Sequence, residues 1–416
     1  MSTVHLVVPR GIDNPARPSG GNVYDRRMSR ELAAAGWTVA EHAVPGAWPV
    51  PDADCARALA DLLDRLEDGA TVLLDGLLLP ALPPAAAWAG RLCLVVLAHT
   101  VPSLKHDAGT SPRAHRPGSA VPGSVLAAAT AIVATSHWTK DQLVAAGHGV
   151  PAENIHVVEP GADRAGIATG SPGGGRLLCV AAVTEAKGQD TVLAALAGLA
   201  RLDWDFTCVG ACDLDPGFTT SLLRDARDAG IAGRVHLVGP RTGAALEAMY
   251  ASADILLLAS RTESYGMVVA EALVRGLPVI ATGVGGVPRT LAGTDSGCLP
   301  GLLVPPGDPA ALAACLEAWL DDPGLRRRLR GAARERGAAL ERHSWRAAAR
   351  RLSSILAHAA GVSSAAGSLA ASTPAAGTPG NGSSGNGSSG NSSPGRGDGV
   401  VGSRHAVPLA ASVGGG

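Results

Sequence analysis

Short apolar runs alternate along this chain with longer stretches whose apolar positions recur at helical spacing, the pattern of parallel α/β layers. A first series of strands is expected at 4–8, 38–43, 71–74, 92–98, 131–134 and 155–158. Helices at 22–35 and 53–66 lie between them, the first stopped by Gly36. A second series of strands follows at 176–181, 206–209, 235–238, 255–258 and 279–281, with helices at 190–199, 219–229, 243–251, 268–275 and 310–320. Between the two series, ADRAGIATGSPGGG is a small-residue linker with little to bury.

The pattern divides the chain into a Rossmann-like domain over 1–163, a linker over 164–175 and a second Rossmann-like domain over 176–340. A terminal helix over 341–360 is expected to pack back toward the first domain. The last part, 361–416, turns to Gly, Ser, Ala, Pro and Asn and reads as a disordered tail, because it cannot bury enough apolar area to offset its ordering entropy. Ligands of open α/β sheets bind beyond the carboxyl ends of the strands, so the chemistry is expected in a cleft between the two domains.

Composition narrows the class. The 416 residues are 46% hydrophobic but only 3% aromatic, enough for aliphatic cores. A net charge of −1 gives no general attraction to nucleic acid. The seven cysteines are scattered and read as small core residues of a reducing compartment, and no run reaches the length of a membrane span. With no signal-peptide pattern at the start, the chain is expected in the cytoplasm. The arginine-rich run LRRRLRGAARERG reads as a solvated helix face, which leaves peripheral contact with anionic lipid open.

The richest chemistry lies in SRTESYGMVVAEALVRGLPVIATGVGGVPRT. A buried strand runs into a short polar loop that opens a helix, aiming backbone N–H groups and the positive helix end at the space above the strand. Glu263 sits in the loop and Glu271 two turns into the helix, both able to accept hydrogen bonds from ligand hydroxyls. Phosphate donors between two hydroxyl-reading carboxylates suit a nucleotide sugar. Upstream, Lys187-Gly188 follows the opening strand of the second domain, where an ammonium could pair with a diphosphate. Gly239 ends a further strand and permits close approach of a planar base. Read alone, Lys187 is more simply a solvated loop lysine.

With these residues, the chain resembles glycosyltransferase family 4, retaining enzymes of GT-B architecture, over about residues 3–358. Lys187-Gly188-Gln189-Asp190, the block from Ala253 to Thr282, the Gly285-Gly286 turn and GLLVPPGD carry the resemblance. It implies a hydroxyl-reading role at the donor sugar for Glu263, a ribose grip for Glu271 and diphosphate neutralisation by Lys187. Backbone groups of Ser264, Tyr265, Gly266, Met267 and Val268 would hold sugar and phosphate oxygens. In the first domain, Gly20-Gly21 looks like the family's glycine loop, and His99 matches a histidine placed near the sugar. Read without the family, His99 is a hydrogen-bonded histidine at a strand end.

The resemblance implies transfer from a nucleoside-diphosphate sugar such as a UDP- or GDP-sugar to a hydroxyl acceptor. Anomeric configuration would be retained, and no metal or other cofactor is expected. Many members carry Gly-Arg where this chain has Ala181-Ala182. Arg261 or Arg241 would then supply the second cation, or donor binding would be weaker. The competing class is a non-catalytic nucleotide-sugar binding or regulatory protein. Asp203-Trp-Asp205 and Asp213-Leu-Asp215 resemble metal-binding Asp-x-Asp pairs, and Cys208 with Cys212 a partial zinc pair, but the expected fold needs neither. GxGxxG, GxxxxGK, GxSxG and HExxH patterns do not occur in the required context. The loop over 100–123 is expected to border the acceptor.

Overall fold

The structure, a computed structural model, describes residues 2–46, 48, 50–101, 123–147, 149–292 and 297–371. Most of the expected acceptor loop, 102–122, and the segment 372–416 lie outside the described residues.

Two six-stranded parallel sheets organise the chain. The first joins β1 (Thr3–Pro9), β2 (Thr38–Val44), β3 (Thr71–Asp75), β4 (Cys93–Ala98), β5 (Ala131–Ala134) and β6 (Ile155–Val157) in the order β2-β1-β3-β4-β5-β6. Around it lie α1 (Gly20–Ala34), α2 (Ala53–Asp64), α3 (Gly123–Ala127) and α4 (His137–Ala145). The second sheet joins β7 (Arg176–Val180), β8 (Asp205–Val209), β9 (Val235–Gly239), β10 (Ile255–Leu258), β11 (Val279–Thr282) and β12 (Gly301–Val304) in the order β12-β11-β10-β7-β8-β9. Its helices are α5 (Gln189–Ala197), α6 (Pro216–Asp228), α7 (Gly243–Ser252), α8 (Met267–Val274), α9 (Val287–Leu291), α10 (Pro309–Asp321) and α11 (Pro323–Glu341). The last helix, α12, covers Trp345–Ala371.

Central strands are uniformly apolar because both faces are covered by helices. Every residue of β3, β4, β10 and β11 is buried. The edge strand β2 alternates and is largely exposed. The four-residue strand β12, absent from the expected pattern, completes the opposite edge of the second sheet.

Two expectations are corrected. The segment read as having little to bury is packed: Ala162, Ala165 and Ala168 lie against the core of the second sheet. Ala168 N–H donates to Arg275 O at 2.9 Å, and Ser171 Oγ donates to the fully buried Asp254 at 2.6 Å. Small side chains let this crossing lie flat on the lobe instead of looping away. The disordered tail expected from 361 is also overturned in its first part, since α12 continues to Ala371. Four of the eleven residues over 361–371 are Ala, the strongest helix former.

The arginine-rich run belongs to α11, where Arg327, Arg328 and Arg334 are exposed, as a solvated face requires, while Arg326, Arg330 and Arg336 turn inward. The guanidinium of Arg326, 9% exposed, donates to Trp319 O at 2.8 Å and Leu320 O at 2.7 Å. Arg330 reaches Asp254 at 2.9 Å, and Arg336 Nε donates to Thr290 O at 2.9 Å. These side chains tie α11 to the second lobe. The following helix turns to the first lobe: α12 packs on α1, and Trp345, Leu352 and Leu356 join the core on that side. Among the described residues no helix is long and apolar enough to cross a membrane.

Candidate functional site

Each sheet reverses its winding at one point, between β1 and β3 in the first and between β7 and β10 in the second. Loops leaving the strand ends diverge there and open a crevice. Lys187 stands in the loop after β7 and Glu263 in the loop after β10. The switch point therefore joins side chains 76 residues apart: Lys187 Nζ donates to Glu263 Oε1 at 2.6 Å. Ser260 Oγ donates to the same oxygen at 2.8 Å. Only 13% of the Glu263 side chain is exposed, against 31% for Lys187, so the carboxylate is fixed and the ammonium faces the opening.

Backbone close approach builds this loop. Gly188 at φ 68° packs against Ala259 O, and a Cβ there would overlap it. The Gly285-Gly286 turn lies directly on the backbone of Glu263 and Ser264, where Gly286 N–H donates to Glu263 O at 3.1 Å. Thr290 Oγ donates to Tyr265 O at 2.8 Å. Ser264, Tyr265, Met267 and Val268 are half-buried along the loop and the first turn of α8. Gly266, with φ 81°, is the N-cap of that helix, and no side chain caps the helix's first N–H groups.

Glu271 lies just over one turn into α8 rather than two. Its Oε2 accepts from the buried Tyr250 hydroxyl at 2.7 Å, and Arg275 spans from the Glu271 carbonyl to Glu247. Burial pushes the Glu271 carboxyl up, while Tyr250 and Arg275 pull it back. Tyr250 and Arg275 escape a sequence reading, since their only sequence signal is the turn spacing from Glu271 to Arg275 on one helix. Gly239, with φ 74°, ends β9 with only the Arg241 guanidinium within 4 Å of where a Cβ would sit.

The first lobe meets this site through α1. Ser19 caps that helix, accepting from Asn22 N–H at 3.2 Å. A Cβ on Gly20 would stand 3.2 Å from Met267 Sδ of α8, and a Cβ on Gly21 3.3 Å from His99 Cδ2. Two helix N-termini, one from each lobe, thus converge on one space, and glycines let them approach. Behind Gly21, His99 Nε2 donates to Asp25 Oδ1 at 2.8 Å, with Asp75 beside them. Asp25 and Asp75 were not singled out from sequence. The signals were an acidic residue one turn after Gly21 and another closing the apolar run TVLLD.

The candidate second cations are engaged elsewhere. Arg261 donates to Asp190 Oδ2 at 2.7 Å and to the Glu185 carbonyl, while Arg241 is exposed and donates to Pro240 O at 2.9 Å. Arg17 crosses from the first lobe to Asp213 at 3.0 Å. Three of the four Asp-x-Asp residues have structural partners: Asp213 pairs with Arg17, Asp215 caps α6 through Phe218 N–H, and Asp205 stands 3.5 Å from His236.

Residues 170–336 match the model of the family described as glycosyl transferases group 1. The matched stretch runs from just before β7 into α11 and includes Lys187, Gly239, Glu263 and Glu271. Among curated proteins, the chain is 30% identical over 273 residues to D-inositol 3-phosphate glycosyltransferase 1 of Catenulispora acidiphila, covering 61% of this chain and 62% of the relative. It is 32% identical over 288 residues to D-inositol 3-phosphate glycosyltransferase of Xylanimonas cellulosilytica, covering 64% and 66%. The chain therefore spans less than two thirds of the length of these relatives.

Among solved structures, sucrose-phosphate synthase from Thermosynechococcus elongatus superposes with a TM-score of 0.69 at 22% identity, covering 86% of this chain and 99% of that one. Anabaena Alr3699/HepE in complex with UDP and glucose gives a TM-score of 0.65 at 16% identity, covering 86% and 100%. At these identities the likeness concerns the fold, which is GT-B.

Proposed function

We propose that the protein transfers a sugar from a nucleoside-diphosphate sugar to a hydroxyl acceptor with retention of configuration and without a metal. The observation that carries this reading is the convergence of α1 and α8 N-termini beside the Lys187–Glu263 pair. The N–H groups of α8, which has no side-chain cap, and the dipoles of both helices favour a diphosphate there. On donor binding, a sugar hydroxyl would take the place of Lys187 at Glu263, freeing the ammonium to meet the leaving diphosphate. Stabilising that departing charge is the main work asked of the protein. Glu271, one turn further along α8, would accept from the ribose hydroxyls. No side-chain base is assigned; the leaving phosphate would assist deprotonation of the acceptor on the same face.

A second reading, a nucleotide-sugar binding protein of weakened activity, is favoured by one observation. The positions Ala181 and Ala182 carry no cation, and Arg261 is held by Asp190. Release of free nucleoside diphosphate from UDP-, GDP- and ADP-sugars separates the two. The acceptor panel should include D-inositol 3-phosphate, the compound in the relatives' names. The transferase reading expects turnover of one donor, undiminished by EDTA, and a product that retains the donor's anomeric configuration. Nucleotide binding with no release under any condition favours the second reading.

A further inference from the structure

The first lobe buries an acidic cluster against His99. Asp25 is fully buried on α1 and Asp75 is 1% exposed at the end of β3, while the His99 side chain keeps 13% of its surface at the cleft. One oxygen of each carboxylate is satisfied. Asp25 Oδ1 accepts from His99 Nε2 at 2.8 Å, and Asp75 Oδ1 accepts from Leu77 N–H at 2.8 Å. The other two oxygens, Asp25 Oδ2 and Asp75 Oδ2, are buried without a partner. Ligand atoms of the three residues lie within 4.8 Å of one another.

Two ionised carboxylates this close, dry and facing a single imidazole would leave an uncompensated buried charge and two orphaned acceptors, a costly arrangement. One proton between the carboxyls removes both faults through an O–H···O bond. We propose that Asp25 and Asp75 share one proton, and that this acid–carboxylate pair holds His99 as an imidazolium with its exposed edge toward the N-terminus of α1.

The surroundings agree. Tyr24 presents its ring edge to His99 at 5.3 Å between centroids, but its hydroxyl is spent on Val158 O at 3.0 Å. Gly21 covers the ring on the cleft side. The charged groups acting on His99 are Asp25 and Asp75. Burial alone would lower the imidazole, but the Asp25 charge and hydrogen bond, then Asp75, lift it to about 9. Burial first, then the neighbouring Asp25, raises the Asp75 carboxyl far above the usual aspartate range. The result is a neutral cluster whose positive end faces the cleft. Lys187 spends its charge on Glu263, so this imidazolium supplies positive charge at the anion-binding end of α1. Asp25 and Asp75 are positioning residues, acting through His99. This last consequence rests on the donor reading above; the shared proton does not.

The test is a pH titration of the full chain with ¹⁵N-labelled histidine, reading two-bond ¹H–¹⁵N spectra and assigning His99 by its loss in His99→Gln. His99 is expected to carry both ring protons at neutral pH and to titrate about two units above an ordinary histidine. In Asp75→Asn its midpoint stays within about half a unit, because the amide N–H donates as the acid did. In Asp25→Asn it falls to roughly 7 or below. A neutral His99 at neutral pH overturns the proposal. So does an equal fall in Asp75→Asn, which would mean two ionised carboxylates. Selective broadening of His99 by Mn²⁺, reversed by EDTA, would replace the proton with a cation site and equally overturn it. The Asp75→Asn arm stands alone if Asp25→Asn does not fold. UDP affinity measured across the same pH range should weaken through the His99 midpoint. UDP failing to bind at every pH counts against the donor reading while leaving the titration result intact.

Discussion

Glu263 and Glu271 border one crevice, yet their neighbours fit them to different work. Glu263 is held by Lys187 and Ser260, so its replacement should disturb the ammonium proposed to meet the diphosphate. Glu263→Gln is expected to keep nucleotide affinity while lowering donor turnover by roughly 10²-fold. Glu271→Ala should weaken nucleotide binding by roughly tenfold or more, as for the loss of a charged hydrogen bond, with calorimetry as the check. Equal loss of nucleotide affinity in both variants would contradict this division. His99 supplies a pH dependence of stability. Its folded-state value, about 9, lies above the ordinary histidine value, so the folded protein binds the extra proton. That contribution is complete below about pH 6.5 and is lost as pH rises through about 9; Asp75, also raised, acts in the same direction. Urea midpoints should therefore fall between neutral pH and pH 9 in the native chain and fall less in His99→Gln. At this scale, sequence pointed to the residues that would touch a ligand but not to those behind them. Tyr250, Asp25 and Asp75 join the site through long-range packing, which no local spacing encodes.

At the scale of elements, glycines set the geometry. A Cβ at Gly285 would overlap Glu263 O, and the backbone there has φ 58°. Gly285→Ala is expected to cost about 1–3 kcal/mol of stability and to displace Glu263, lowering turnover beyond what the melting curve accounts for. The crossing between the lobes has its own anchor. Asp254, fully buried, accepts from Arg176 N–H at 2.9 Å, from Ser171 and from Arg330. Asp254→Ala should cost about 3 kcal/mol, read from urea unfolding, because Arg330 and the Ser171 turn lose their partner. A cost below about 0.5 kcal/mol would show that the crossing is held by its alanines alone. The buried strands were readable because parallel strands covered on both faces are continuous apolar runs. Several shorter elements were not. β12 is a short edge strand bracketed by prolines, and α4 buries only Thr139 and Leu143, too little for a helical stripe. The inward turn of Arg326, Arg330 and Arg336 on α11 was not legible either, because long polar side chains can cap carbonyls inside a fold as well as face water.

Across the whole molecule, the lobes meet where Gly20 faces Met267. Gly20→Leu should wedge them apart, reducing kcat for donor release with little change in melting temperature, since Gly20 itself is exposed. The bridge from Arg17 to Asp213 is more than half exposed on both sides, and Arg17→Ala should alter stability by less than about 1 kcal/mol. The return of α12 has an effect on how the molecule is made. Tyr24 is buried against Trp345, and Trp37 Nε1 donates to Ser353 Oγ at 2.7 Å, so the first lobe's packing includes side chains from the far end of the chain. During synthesis its six strands leave the ribosome long before that helix does. At about 5–20 residues per second, the wait from β6 to α12 is roughly 10–40 s. The part of the protein that emerges first is therefore the last to mature, and until then it offers an apolar face to chaperones.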